Sequence, residues 1–182
     1  MELWDLYTEN RVKTGETHIR GDALPKDKYH LVVHVWIKNS DGKYLISQRS
    51  ENRPSNPLKY ECVGGSVLKD ESSIDGAIRE AKEEVGIDLT PEMGKFIFSE
   101  VRKIIGGKVF NDIRDVWLFK YDGEINLKNA TTDEVKEARW MTVDEIYKLY
   151  NAGMMVSNST KVFDEVVVYS EKQQSHAKIE DI

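Results

Sequence analysis

Three glutamates near the middle of the chain bring the most distinctive chemistry. Residues 72–85 read as a helix: Ile74, Ala77, Ile78, Ala81 and Val85 recur at the 3.6-residue period, and Gly86 stands where a left-handed cap closes a helix. On that helix Glu80, Glu83 and Glu84 fall at i, i+3 and i+4, so their carboxylates share one face. Each like-charged pair opposes the helix by roughly 0.2–0.5 kcal/mol. The last turns disfavour each anion by a further ~0.3–1 kcal/mol. Lys82 projects elsewhere, and Arg79, adjacent to Glu80 in sequence, is not expected to face it. A bound divalent cation would turn this repulsion into a site. A solvated acidic face is the plain alternative. Against it stand Gly64-Gly65, where backbone and carbonyl oxygens can approach closely, and Glu71 and Arg79 at fixed distances from the acids. Donors that are all oxygen suit Mg2+ or Mn2+, which take a few carboxylates plus substrate phosphate oxygens.

Read as Gly65, five residues, Glu71, seven residues, Arg79-Glu80, two residues, Glu83-Glu84, one residue, Gly86-Ile87, the segment resembles a complete Nudix box. The resemblance implies an α+β fold, a Nudix α/β/α sandwich with a mixed sheet, here with an N-terminal strand extension. It also implies Mg2+- or Mn2+-dependent hydrolysis of a nucleoside diphosphate, free or linked to another moiety, by attack of water on phosphorus. Carried over by position, Glu80, Glu83, Glu84 and the Gly64 carbonyl would hold metal, and Arg79, Glu71 and Gly65 would orient them. Relatives often draw a base or further ligand from the loop before the strand that Trp140 marks. A box glutamate is one candidate for the catalytic base; from that loop, here Thr131–Glu137, Glu134 is the first choice and Glu137 the second.

Tyr29–Asn39, Gly42 and Gln48-Arg49 are similar to the isopentenyl-diphosphate isomerase branch of the same superfamily. That branch implies a cysteine just before the box glycine, a histidine-rich metal site and two downstream glutamates. This chain has Gly64 at the cysteine position, with Cys62 two residues early. Ser66 and Ala23 stand where histidines would be, His30 alone is kept, and the downstream acids fall near Asp112 and Arg114. Hydrolysis is therefore the expected chemistry. Isomerisation and a non-catalytic nucleotide-binding regulatory domain are the alternatives.

The elements that must position these groups follow from patterning. Trp4–Arg20 reads as two short strands, with Lys13-Thr14-Gly15-Glu16 as the turn candidate, and 21–28 as a polar loop. Tyr29–Ile37 is a strand apolar enough for burial on both faces, and Asn39-Ser40-Asp41-Gly42 is a hairpin turn into a strand over 43–49. Pro54 and Pro57 make 50–59 a loop. Tyr60–Gly65 is a short strand. Strands over 95–105 and 109–121 pair across Gly106-Gly107, and another covers 138–141. Thr142 and Glu145 form a capping box opening a helix over 143–151, and a last helix covers 159–170. Residues 1–182 read as one domain, with 1–28 as N-terminal strands and loop and 171–182 as a fraying tail.

Composition narrows the function classes. With 40% hydrophobic and 32% charged residues a real core is expected. No apolar run approaches the ~18–20 residues that span a bilayer, the N-terminus lacks a signal-peptide pattern, and one cysteine leaves no disulfide framework. A reducing cytoplasm is the simplest home, with no membrane partner. The net charge of −6 disfavours a nucleic-acid partner. A small nucleotide substrate is expected, and the resemblance allows a homodimer. Arg49, Arg53, Lys59 and Tyr60 are the candidates for gripping substrate, with Phe110 and Trp117 as further stacking candidates.

Overall fold

The computed structural model describes residues 2–105 and 108–180; the turn expected at Gly106-Gly107 lies outside them. Nine strands and three α-helices are described. β1 (Leu3–Tyr7) and β2 (Lys13–Ile19) form a separate antiparallel pair. The remaining strands are β3 (His30–Lys38), β4 (Tyr44–Arg49), β5 (Tyr60–Glu61), β6 (Val63–Ser66), β7 (Gly94–Ile105), β8 (Lys108–Lys120) and β9 (Val135–Met141). They build one mixed sheet, in which β3 runs parallel to β8 from the His30–Asp112 pair to the Lys38–Lys120 pair, and every other pairing is antiparallel.

The sheet forks. β3 and β4 pair at Lys38 and Tyr44, below the Asn39–Gly42 turn, whose Gly42 takes φ of 80° as expected of an Asp-Gly turn. The expected strand Tyr60–Gly65 enters this fork and divides at Cys62: β5 pairs with β4, and β6 pairs with β3. That division carries Gly64 and Gly65 to the inner edge of β3.

α1 (Ser73–Val85) lies on one face, and α2 (Val143–Asn151) and α3 (Lys161–Glu180) on the other. Strand alternation feeds both layers: Leu31, Val33, Val35 and Ile37 of β3 pack with Ala77, Ala81 and Val85, while Trp36 packs with Ile146 and Phe163. The expected α/β/α sandwich is thus observed. The helix ends are as expected too. Ser72 caps α1 by accepting from the Asp75 N–H, Gly86 closes it at φ of 70°, and Thr142 and Glu145 complete the capping box of α2.

Several boundaries differ from expectation. β9 begins at Val135 and not at 138, so Glu137 lies in the strand and not in the loop before it. Lys13–Glu16 lies inside β2 and is not the hairpin turn; the chain reverses over residues 8–12, and Gly15, at φ of 81°, sits where the β1–β2 register slips. α3 continues to Glu180 instead of ending near Ser170, because Glu, Lys, Gln and Ala after 170 all favour helix. Among the described residues no helix is long and apolar enough to cross a membrane.

Candidate active site

Glu84 sits in the apolar stripe of α1, beside Ala77, Ala81 and Val85, and is only 5% exposed. Its carboxylate accepts the Gly64 N–H at 3.3 Å. Burial pushes this carboxyl well above the usual carboxylate range, and the nearby charges of Glu61 and Glu80 push the same way. Burial likewise raises Glu80 to about 7, against the opposing pull of Arg79. The Glu80 carboxylate lies over Gly65: a Cβ there would stand 2.2 Å from Oε1. At Gly64 a Cβ would stand 2.3 Å from the Val33 carbonyl oxygen, so fixed backbone leaves room for glycine alone.

Arg79 ties the acids together. Its Nε and Nη2 donate to Glu71 at 2.8 and 3.1 Å, and Nη2 also donates to the Ser66 carbonyl at 2.8 Å. Nη1 donates to Glu80 at 2.9 Å and to Glu83 at 2.8 Å. All five donors of the guanidinium fork are therefore engaged. The expectation that Arg79 would not face Glu80 is corrected here: the long side chain curls back across its own helix turn. Burial works against the Arg79 charge, but the Glu71 bonds and the Glu80 field outweigh it and hold the group protonated. Glu71 also accepts the Leu68 N–H at 2.8 Å, which fixes it at the entry to α1.

Around these groups lies a polar cleft of about 120 Å³. Gly64, Gly65, Arg79, Glu80, Glu83 and Glu84 wall it from the box segment, and Arg53 and Glu134 face them from two loops as an ion pair. The Glu134 loop is fastened to α1, since the Thr131 and Thr132 N–H groups and the Thr132 hydroxyl all donate to the Glu83 carbonyl, at 3.0, 3.2 and 3.0 Å. Glu137 lies elsewhere, accepting the Tyr60 hydroxyl at 3.2 Å.

Several candidates for substrate contact are not brought to this cleft. Arg49 is buried and bonded to Glu61 at 2.5 Å and to the Ser55 carbonyl at 3.0 Å. Tyr60 packs against the α2–α3 core, with Arg139 over its ring. Lys59 is not among the cleft residues either. Trp117 donates to Ser73 at 3.0 Å and packs on Phe96, and Phe110 lies under Arg102. Arg49, Tyr60, Trp117 and Phe110 are held by partners outside the cleft, Trp117 on the α1 side of the sheet itself, and spacing in sequence does not reveal those partners. Sequence reasoning missed Glu2, Arg20 and Thr132, which do wall the cleft, and no local signal marked them.

The isomerase features are dispersed. Cys62 is buried in the α2–α3 core, where burial pushes its thiol up and away from ionisation. His30 stacks on Trp4 with ring centres 4.1 Å apart, Asp112 pairs with Arg102, and Arg114 pairs with Glu100.

Among the described residues, no three His, Cys, Asp or Glu side chains are gathered as a metal cage, and Arg79 occupies an oxygen of both Glu80 and Glu83. The donor set nevertheless fits a hard divalent cation: it is all-oxygen and acidic, with Glu84 buried and Glu80 largely so.

Comparison with known proteins shows the family and the fold. A NUDIX domain family model matches residues 28–165. The chain is 36% identical to the uncharacterized Nudix hydrolase lmo0368 of Listeria monocytogenes, covering 86% of this chain and 89% of that protein. It is 30% identical to YfcD of Escherichia coli, also an uncharacterized Nudix hydrolase, over 76% and 72% of the two chains. In fold it resembles DR0079 from Deinococcus radiodurans, with a TM-score of 0.68 and 21% identity over 92% of this chain and 98% of that one. It also resembles a bifunctional NMN adenylyltransferase/ADP ribose pyrophosphatase from Francisella tularensis complexed with AMP and a Mn ion, with a TM-score of 0.57 and 23% identity over 78% and 42% of the two chains. The chain belongs to the Nudix hydrolase family and is a pyrophosphohydrolase.

Proposed function

We propose that this enzyme hydrolyses the pyrophosphate bond of a nucleoside diphosphate, free or linked to another moiety, with Mg2+ or Mn2+ held by Glu80, Glu83, Glu84 and the Gly64 carbonyl. The observation that carries this reading is the burial of Glu84 within the apolar stripe of α1, next to a second carboxylate whose proton affinity is also raised. A carboxylate in that position opposes folding unless a cation meets it. The bound metal supplies neutralisation of the pyrophosphate oxygens and a lowered pKa for the attacking water.

The chain's own residues do the rest. Arg79 and Glu71 orient the carboxylates, so the box from Gly65 to Ile87 works as one intact unit. Glu134, across the cleft, accepts the proton of the attacking water, and Arg53 beside it binds a phosphate oxygen. The Francisella neighbour, named for ADP-ribose hydrolysis and holding AMP and Mn, and a Caenorhabditis elegans neighbour named as an Ap4A hydrolase support a nucleotide substrate. The seclusion of Cys62 favours hydrolysis over isomerisation.

The test is a product assay with Mg2+ and a panel of nucleoside di- and triphosphates, nucleotide sugars, dinucleotides and isopentenyl diphosphate. Metal-dependent release of a nucleoside monophosphate, lost in Glu84→Gln, is the expected result. Conversion of isopentenyl diphosphate to its isomer, or activity that survives the substitution, overturns the reading.

A further inference from the structure

The outer wall of the cleft includes two residues that lie outside the 28–165 family match. Glu2 and Arg20 flank the open end of the β1–β2 pair, where Leu3 and Ile19 are cross-strand partners. Their backbones are joined by the Arg20 N–H donating to the Glu2 carbonyl at 3.0 Å. Their side chains meet as well: Arg20 Nη1 donates to both Glu2 carboxylate oxygens at 2.7 Å.

The strand pair that carries them is firmly docked. The Lys69 N–H donates to the Leu3 carbonyl at 2.8 Å, and the Asp70 N–H to the Asp5 carboxylate at 2.7 Å. Tyr7 and Tyr29 exchange backbone bonds at 2.8 and 2.9 Å, and Trp4 is buried on His30. The loop gripped by β1 is the one between Gly65 and α1, so Arg20 is fixed relative to the carboxylates of the box. Glu80 and Glu134 act electrostatically on Arg20, consistent with its place on the cleft wall.

We propose that Arg20 is a substrate-binding residue taking a phosphate oxygen of the diphosphate, and that Glu2 is an internal anion holding Arg20 until the substrate displaces it. This rests on the hydrolase reading for its ligand class and adds to it a subsite supplied from outside the family-matched region. The geometry suits an exchange. Both Glu2 contacts fall on a single guanidinium nitrogen, whereas a phosphate can engage the fork bidentately and carries denser charge. The Arg20 and Glu2 side chains are 51% and 42% exposed, so the pair is weak and Glu2 has solvent to move into. Arg53 and Glu134 repeat the arrangement on the same wall, giving two cations, each held by one carboxylate. Both cations thus stay paired until phosphate enters.

The test is calorimetric binding of methylenediphosphonate, which is not hydrolysed, in Mg2+ to wild type, Arg20→Ala, Arg20→Lys and Glu2→Gln. Circular dichroism would verify the fold of each. Arg20→Ala should weaken binding by about tenfold or more, Arg20→Lys by less, and Glu2→Gln should tighten it by about two- to fivefold. The opposite signs separate this role from a merely structural ion pair, which both substitutions would disturb alike. Unchanged affinity in Arg20→Ala, weaker binding in Glu2→Gln, or no binding by wild type overturns the proposal. Arg20-dependent binding without turnover of any nucleotide would sink the hydrolase reading and leave the subsite standing.

Discussion

The backbone N–H of Gly64 donates to the carboxylate of Glu84 across 3.3 Å, joining the inner edge of the forked sheet to the buried stripe of α1. The contact depends on both residues. Gly64 can approach because it has no side chain to meet the Val33 carbonyl, and Glu84 is buried because it falls in register with Ala77 and Ala81. The result is an acid placed where an apolar residue would be more stable.

Glu84→Gln should therefore stabilise the metal-free protein while ending activity. With its folded pKa raised by burial, Glu84 detracts from stability as pH rises past the unfolded carboxylate value, and the penalty grows until the folded pKa is reached. Removing the charge should add about 1–2 kcal/mol at neutral pH, or roughly 2–8 °C in Tm. Mg2+ should raise the Tm of wild type and not of the variant. Scanning calorimetry in EDTA and in Mg2+ checks both, and a variant less stable than wild type in EDTA would contradict the account.

Gly64 and Gly65 should respond differently to the same added methyl. Gly64→Ala drives a Cβ to 2.3 Å from a backbone oxygen that sheet pairing holds still, so about 3 kcal/mol or more of stability should be lost. Gly64→Cys should be no better, and should not yield an isomerase. Gly65→Ala meets the end of the Glu80 side chain, which can swing away. It should keep its fold to within about 1 kcal/mol and lose activity by about 10–100-fold through the displaced Glu80. Urea unfolding paired with turnover assays separates the two.

His30 sets an acid limit on the fold. Burial, helped by the charges of Arg102 and His18, lowers its imidazole to about 4, below an ordinary 6.5. The unfolded chain therefore binds the proton more readily, and stability present above pH 6.5 is lost as pH falls toward 4. The window spans 2.5 pH units, equivalent to about 3 kcal/mol. His30→Phe keeps the stacking on Trp4 and should flatten this limb. Urea unfolding of both proteins at pH 7 and 4 measures it; since Glu80 and Glu84 titrate in both, the difference isolates His30. Equal slopes would contradict the assignment.

Much of the fold was legible because it is written locally. The two-faced strand His30–Lys38, the Asp-Gly turn, the caps of α1 and the capping box of α2 each depend on neighbours within a few residues. The carboxylate cluster was legible for the same reason, since i, i+3 and i+4 share a helix face. Contacts made by folding were not. Arg79 reaches Glu80 through side-chain length, which helical spacing ignores. Arg49 turns to Glu61 and Tyr60 to Glu137 because strand alternation and the β5–β6 crossing decide their faces. Glu2 and Arg20 enter the cleft only once the β1–β2 pair docks on the loop before α1.

Glu134 and Glu137 show how folding separates two residues that the sequence ranks only by position. Both are glutamates on one loop-to-strand segment, three residues apart. Three hydrogen bonds to the Glu83 carbonyl hold Thr131 and Thr132 against α1, and this carries Glu134 to the cleft beside Arg53. Glu137 has by then entered β9, opposite Gln48, where it bonds to Tyr60 away from the cleft. A base must stand within hydrogen-bond reach of the water it deprotonates, and only Glu134 faces the carboxylates that would hold metal. Glu134→Gln should lower kcat by about 10²–10⁴-fold with little change in KM. Glu137→Gln should stay within about twofold of wild type, because surface changes away from the site are usually neutral. Thr132→Val, which removes one of the three bonds, should lower kcat about tenfold, and Thr132→Ser should restore it. Full activity in Glu134→Gln would transfer the base to a box glutamate and reduce Glu134 to a tether for Arg53.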